Sequence, residues 1–328
     1  LIVFAQYQLF DDVDRHAESL EGWGQRYDQI GSGAYRSVVK QATLDGMHIF
    51  QEASNVRVLQ RGALPPDHTI FGMPLVGDGA FTFGGARVDR GSMVFARGGV
   101  PFELHSPDHM SFICVAVDPD MLQWIADEAG VNLDDRLFQR NVVDLPSAPC
   151  ARAGAQIATL LERMLAEPDA FDDTRARLAV RSQFSEILVE LLTYRGSAPS
   201  NRLTYTCQTD VVSRVHDYVT RHPQEPVDIM SLCAQLRVSR RTLQNSFQSV
   251  VQTAPLTYVR SLRLAQVRRL LLDTRQADLS VGDAAARWGF VNLGYFASVY
   301  ESQFGELPSK TPRKSARIAP ARARTSPL

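Results

Sequence analysis

Residues 229–250, IMSLCAQLRVSRRTLQNSFQSV, decide the fold, because they return in altered form at 281–304 as VGDAAARWGFVNLGYFASVYESQF. Ile229 pairs with Val281, Ala234 with Ala286 and Val238 with Phe290, all at an offset of 52. Past the turn the offset is 53, pairing Ser239 with Asn292, Leu243 with Phe296, Phe247 with Tyr300 and Pro255 with Pro308. One residue has entered at the second turn. Each copy reads as a helix-turn-helix. A short first helix places a small residue (Ala234, Ala286) on its inner face, and an apolar residue plugs the turn. Ser239 or Asn292 then caps the second helix by accepting from its free amides. Leu243 and Phe247, like Phe296 and Tyr300, lie four apart and face the core. Pro255–Leu272 reads as one helix joining the two units.

The outward face of each second helix carries the functional information. In the first unit it shows Arg240, Arg241, Gln244, Asn245 and Gln248, five long donors with no acid among them. Arginine can fork onto guanine O6 and N7, and Gln or Asn can pair with the adenine edge. The second unit offers Leu293, Gly294, Ser298 and Glu301 instead, with few donors, suited to apolar contact with thymine methyl groups, backbone positioning or modest specificity. Thr242, Gln248, Arg263 and Arg268 are candidates for phosphate contacts, with Arg263 equally suited to pairing within its own domain.

Working outward, Arg195–Asn201 is rich in Gly, Ser and Pro and breaks a helical pattern, which makes it the best domain boundary. The expected organisation is a sensor domain at 1–195, a linker at 196–209, a DNA-binding domain at 210–313 and a disordered basic tail at 314–328. Upstream, residues 30–117 alternate short apolar runs with turn signals, the pattern of a small barrel or sandwich. Val38–Thr43 and Met47–Glu52 flank the hairpin signal Leu44-Asp45-Gly46. Ile157, Leu160, Leu161, Met164 and Leu165, then Val180, Phe184, Ile187, Leu188 and Leu191, recur at helical spacing and predict a helical pair. Its stripes suit an intramolecular core or a homodimer contact.

Composition agrees with an ordinary globular chain: 328 residues, 45% hydrophobic and 22% charged. The net charge of −1 hides an asymmetry, since residues 201–328 hold 18 of the 35 basic and 9 of the 36 acidic side chains. The basic half suits a polyanionic partner. Leu1–Ala5 is too short an apolar run to span a membrane, and Cys114, Cys150, Cys207 and Cys233 show no C-x-x-C pairing. Both predict a cytoplasmic protein with reduced thiols. No G-x-S-x-G, P-loop or H-E-x-x-H motif is present, and no cysteine has the setting of a DNA-repair alkyltransferase, so no enzyme is expected. Glu103, His105 and His109 do not make a compact ligand set, and no metal is expected.

Leu232-Cys233-Ala234, Val238–Leu243, Phe247, Pro255, Arg263-Leu264, Ala285-Ala286, Trp288-Gly289-Phe290, Tyr295-Phe296, Tyr300, Phe304-Gly305 and Pro308-Ser309 together resemble the C-terminal domain of the AraC/XylS family of bacterial transcription regulators. VSRRTLQN (238–245), Arg263 with Val267-Arg268-Arg269, and DAAARWGF (283–290) are most similar to members that govern ethanolamine utilisation. Trp23 with Tyr27-Asp28-Gln29, and Phe102-Glu103-Leu104 with Pro107-Asp108, extend that similarity to the N-terminal half. The resemblance implies an α+β chain: a cupin-like β-barrel sensor with flanking helices, then an all-α domain of two helix-turn-helix units. It implies an activator that binds double-stranded DNA, contacts RNA polymerase and responds to ethanolamine, with cobalamin as a co-effector and no permanently bound cofactor. A repressor with another effector remains an alternative, with a cupin-type metal enzyme behind it. An amine effector would want a carboxylate and aromatic walls, for which Glu103, Trp23, Phe81, Phe83 and Phe102 are candidates.

Overall fold

The computed structural model describes residues 4–20, 22–76, 81–130, 141–194, 202–274 and 278–313. Strands β1 (Phe4–Phe10), β2 (Arg26–Gln29), β3 (Ser37–Leu44), β4 (Met47–Ser54), β5 (Val58–Ala63) and β6 (Thr69–Val76) open the chain, with helix α1 (Val13–Glu18) after β1. Strands β7 (Phe81–Phe83), β8 (Ala86–Val88), β9 (Ser92–Arg97), β10 (Pro101–His105) and β11 (Met110–Val117) follow. Then come α2 (Pro119–Ala129), β12 (Val142–Asp144), α3 (Ser147–Ala166) and α4 (Thr174–Thr193). The remainder is helical: α5 (Arg202–Arg221), α6 (Ile229–Leu236), α7 (Arg240–Val250), α8 (Pro255–Asp273), α9 (Val281–Arg287) and α10 (Leu293–Phe304).

The strands form two open sheets, ordered β1-β3-β4-β11-β6-β9-β12 and β2-β5-β10-β7-β8. Among the described residues neither closes on itself, which corrects the expectation of a cupin-like barrel. Closure needs the first and last strands of a sheet to pair at a consistent tilt and stagger, and here β1 and β12 end one sheet while β2 and β8 end the other. The two sheets instead stack around side chains pointing alternately from each strand. On β11, Ile113, Val115 and Val117 join the core beneath α2, α3 and α4, while Phe112, Cys114 and Ala116 join the core between the sheets. The β3–β4 hairpin closes with Leu44 opposite Met47. Its two turn residues, Asp45 and Gly46, have φ of 41° and 79°, as the tightest right-twisting hairpin requires.

Of the segment expected to link the halves, residues 195–201 lie outside the described residues, and Arg202 already opens α5. Residues 314–328, expected as a disordered tail, also lie outside them. Helices α5 to α8 enclose a core of Val212, Val215, Leu232, Leu243, Phe247, Tyr258 and Leu262, to which Ile30 and Leu59 of the sheet region also contribute. Leu264, Val267, Ala284, Ala285, Phe296 and Tyr300 make the corresponding core around α9 and α10. Ala234 and Ala286, expected on the inner faces, are exposed; Leu232 and Ala284 hold those positions. Helical phase explains the difference, because Leu236 is buried and its inner-face neighbour one turn earlier is residue 232, not 234. Among the described residues no helix is long and apolar enough to cross a membrane.

Candidate nucleic-acid interface

Both second helices begin where their caps predict. Ser239 Oγ accepts from Thr242 N at 3.0 Å, and Asn292 Oδ1 accepts from Tyr295 N at 2.9 Å. The first helices are capped in the same manner, by Asp228 with Ser231 and by Ser280 with Asp283. Capping at the start of each helix satisfies its free amides locally and fixes where the second helix leaves the turn.

Leu243, Ser246, Phe247 and Val250 turn inward on α7, leaving Arg240, Arg241, Gln244, Asn245 and Gln248 exposed. None of these five takes a side-chain partner among the described residues. Thr242 is exposed as well, its hydroxyl 2.9 Å from Ser239 Oγ. On α10, Leu293, Gly294 and Ser298 are exposed while Phe296 and Tyr300 fill the core.

The two α8 arginines expected at phosphates, Arg263 and Arg268, are placed elsewhere. Arg263 donates to the Glu225 carbonyl at 2.5 Å, within its own helical region. Arg268 donates to Asp12 at 2.6 Å and Glu306 at 3.1 Å, stands over the Phe304 ring and is 11% exposed. It belongs to a polar seam between the sheets and the helices. Next to it, Arg269 reaches Asp14 at 2.7 Å, Asp28 at 3.0 Å and the Tyr27 carbonyl at 2.8 Å. Burial raises the Asp14 carboxyl despite the Arg269 charge.

The same seam grips the C-terminal ends of both second helices. Arg57, held by Asp108, donates to the Val251 and Gln252 carbonyls at 2.9 and 3.0 Å, just past α7. Gln29 donates to the Gln303 carbonyl at 2.7 Å, and Gln303 returns bonds to Gln29 and Gly31 carbonyls at 3.0 and 3.1 Å. Gly33 N donates to the Gln303 carbonyl at 3.0 Å. Arg57 O in turn accepts from Ile30 N and Gly31 N, so one strip holds both helix ends. Their N-terminal ends, with the donors of α7, face solvent. The roles of Arg57, Arg269, Gln29 and Gln303 escaped the sequence reading, since nothing local marks a side chain whose partner lies 194 to 274 residues away.

The candidate effector residues divide. Trp23, Phe83 and Phe102 line a cavity of about 30 Å³ between the sheets, with Phe50, Phe112 and Cys114. Phe81 packs edge-on against Phe112 behind it. The carboxylate at this cavity is Glu52, which accepts from Tyr27 at 2.6 Å and lies 2.9 Å from His16 Nε2. Glu103 points to the opposite face of β10, where it meets His105 at 2.9 Å, Arg61 at 2.7 Å and Ser213 of α5 at 2.7 Å. Burial works to raise the Glu103 carboxyl, but these three partners hold it well below the usual carboxylate range.

Two helix-turn-helix units on a shared helix, one edged with exposed donors, define a tandem helix-turn-helix protein. Residues 25–193 match the AraC-binding-like domain and residues 232–314 match the helix-turn-helix domain, and the chain belongs to the AraC/XylS family of transcription regulators. Membership gives it a regulatory role, not a catalytic one. It is 34% identical over 100 residues to a probable thc operon regulatory protein of Rhodococcus erythropolis, covering 30% of each chain. It is 29% identical over 147 residues to the XylDLEGF operon transcriptional activator of Pseudomonas putida, covering 44% of this chain and 46% of that one. The chain therefore spans less than half the length of these relatives. A solved AraC-like transcriptional activator, CuxR, is 14% identical with a TM-score of 0.37, covering 78% of this chain and 85% of that one.

Proposed function

We propose that this chain is a sequence-specific DNA-binding transcription activator, with α7 and α10 entering successive major grooves about one helical turn, ~34 Å, apart. One observation carries the reading: Arg240, Arg241, Gln244 and Asn245 stand exposed and unpaired among the described residues, while the arginines of α8 are tied into the protein. Arginine, Gln and Asn are the side chains that read guanine and adenine edges. Thr242 and Gln248 flank this row and suit phosphates. The XylDLEGF relatives, named as activators, favour activation, and an activator of this kind would contact RNA polymerase.

The N-terminal sheets supply the sensor. A cavity of about 30 Å³ takes little more than one water molecule, so an effector enters only as the sheets part. Ethanolamine with cobalamin is the first pair to test, since a cationic head suits Glu52 amid aromatic walls. Genomic DNA captured by the full chain, with and without that pair, tests both levels. The reading expects enriched fragments sharing two half-sites in adjacent grooves, and enrichment or transcription that changes with the pair. Fragments with no common sequence defeat the DNA-reading proposal; a shared site indifferent to the pair defeats the effector alone.

A further inference from the structure

The apolar edge of the second unit sets it apart from the first. Counting at the offset of 53, Leu293, Gly294, Ala297 and Ser298 stand where the first unit has Arg240, Arg241, Gln244 and Asn245. The residue inserted at the second turn is Val291, and its side chain is 96% exposed. Leu293 is 52% exposed, at the first position of α10, with its Cδ1 backed by the Gly282 position of α9. A Cβ built on Gly294 meets nothing closer than Asn292 Oδ1 at 3.5 Å, an ordinary contact. The chain's own packing therefore does not require glycine there. Removing the side chain leaves room for something outside the protein to approach.

We infer that the N-terminal edge of α10 reads thymine by its C5 methyl group, through Val291 and Leu293 over the gap at Gly294. The inference rests on the proposed entry of α10 into a major groove. Among the base edges exposed there, thymine alone offers a methyl group, and the long hydrogen-bonding side chains that read the other bases are missing from these positions. A helix start carrying a fully exposed valine, a half-exposed leucine and a glycine with free space fits that group and little else in the groove. The first unit reads by hydrogen bonds and the second by shape and apolar contact, so the two half-sites differ in kind.

The test uses the full chain and a duplex it selects from a randomised pool. Each thymine is replaced singly by deoxyuridine, which removes the methyl and leaves every hydrogen-bonding group in place. Loss of one buried methyl, ~0.8 kcal/mol, corresponds to about fourfold weaker binding. That loss is expected in the second half-site and not in the first. Val291→Ser and Leu293→Ser, both surface changes, are expected to bind thymine and deoxyuridine duplexes alike, while Arg241→Ala retains the discrimination. Equal affinity of the unaltered chain for both duplexes overturns the inference. So does an outcome in which V291S or L293S lowers transcription with DNA affinity unchanged, which marks the edge as a protein contact. If Arg241→Ala weakens the selected duplex but deoxyuridine does not, methyl reading falls and the DNA-binding proposal stands. A pool that yields no preferred duplex ends both.

Discussion

Arg237 and Gly289 occupy the same place in the two turns, and both have left-handed backbone, with φ of 57° and 80°. Glycine accepts that conformation without a Cβ clash, whereas other residues lose ~1–2 kcal/mol there. At Gly289 a Cβ would also stand 3.2 Å from Arg263 Nη1 and 3.4 Å from the Pro223 carbonyl. Gly289→Ala is expected to destabilise the chain by ~1–2 kcal/mol, seen as a lower urea midpoint with an unchanged slope. An unaltered midpoint would show that the turn relaxes freely. Arg241→Ala addresses recognition rather than folding. It is expected to weaken the selected duplex by ~1–3 kcal/mol and relax preference at one base pair. Equal losses on selected and scrambled duplexes in gel-shift titrations would reassign Arg241 to a phosphate. At this scale the sequence was informative wherever chemistry is local: Ser239 and Asn292 cap the helices they precede. It left Arg263 open between a phosphate and its own domain and read Arg268 as a phosphate contact, because a carbonyl in the α5–α6 connection and an aspartate in the N-terminal sheet region claim them only after folding.

Helix α5 shows what a sequence reading loses at the scale of elements. Gly, Ser and Pro just before it announce a break, yet Val212, Val215 and Val219 form a buried stripe that begins soon after. The strands posed a different difficulty. Period-two alternation is the same in a barrel and in stacked sheets, and only the pairing of edge strands separates them. The hairpin at Asp45-Gly46 was legible because its turn chemistry is local; β1, β2 and β5, rich in Gln and Arg, were not. Element packing also leaves a pH signature. His216 on α5 is buried beside Tyr258 of α8, and burial, with the Arg61 charge, lowers its pKa from 6.5 to about 4. Asp28, Glu103 and Asp217 act on it in the opposite direction. The unfolded chain therefore holds more protons between pH 4 and 6.5, so stability is complete above that window and declines as pH falls through it. One such histidine accounts for ~3 kcal/mol at most. His48, also lowered to about 4 by burial, contributes with the same sign. Denaturation curves across this window are expected to show His216→Gln losing one proton's worth of slope. An identical slope in the variant would assign the pH dependence to other groups.

Across the whole molecule, the polar seam, with Ile30 and Leu59 packed into the α5–α8 core, turns the two halves into one unit. The basic C-terminal half and acidic N-terminal half were visible as a charge asymmetry in the sequence, and both the outward and the inward use of those arginines follows from it. Which arginine goes where was not visible, because α8 carries Arg260, Arg263, Arg268 and Arg269 within ten residues and only the folded sheets select among them. Arg269 is the most demanding. It joins Asp14, Asp28 and the Tyr27 carbonyl, and the Asp28 side chain is only 4% exposed. Removing one partner of such a cluster strands the opposite charges in a poorly solvated place, at a cost of ~3 kcal/mol or more. That loss falls on the contact between the halves, not on the core of either. Arg269→Ala is therefore expected to split a single cooperative thermal transition into two, since each half retains its own apolar core while the coupling between them weakens. Asp14→Asn with Asp28→Asn added to the same variant removes the stranded charges and should restore part of the cooperativity. Scanning calorimetry reads both. One unsplit transition in Arg269→Ala would mean that Gln29, Gln303 and Arg57, with Ile30 and Leu59 in the shared core, suffice to couple the halves, and that the Arg269 cluster orients them without holding them.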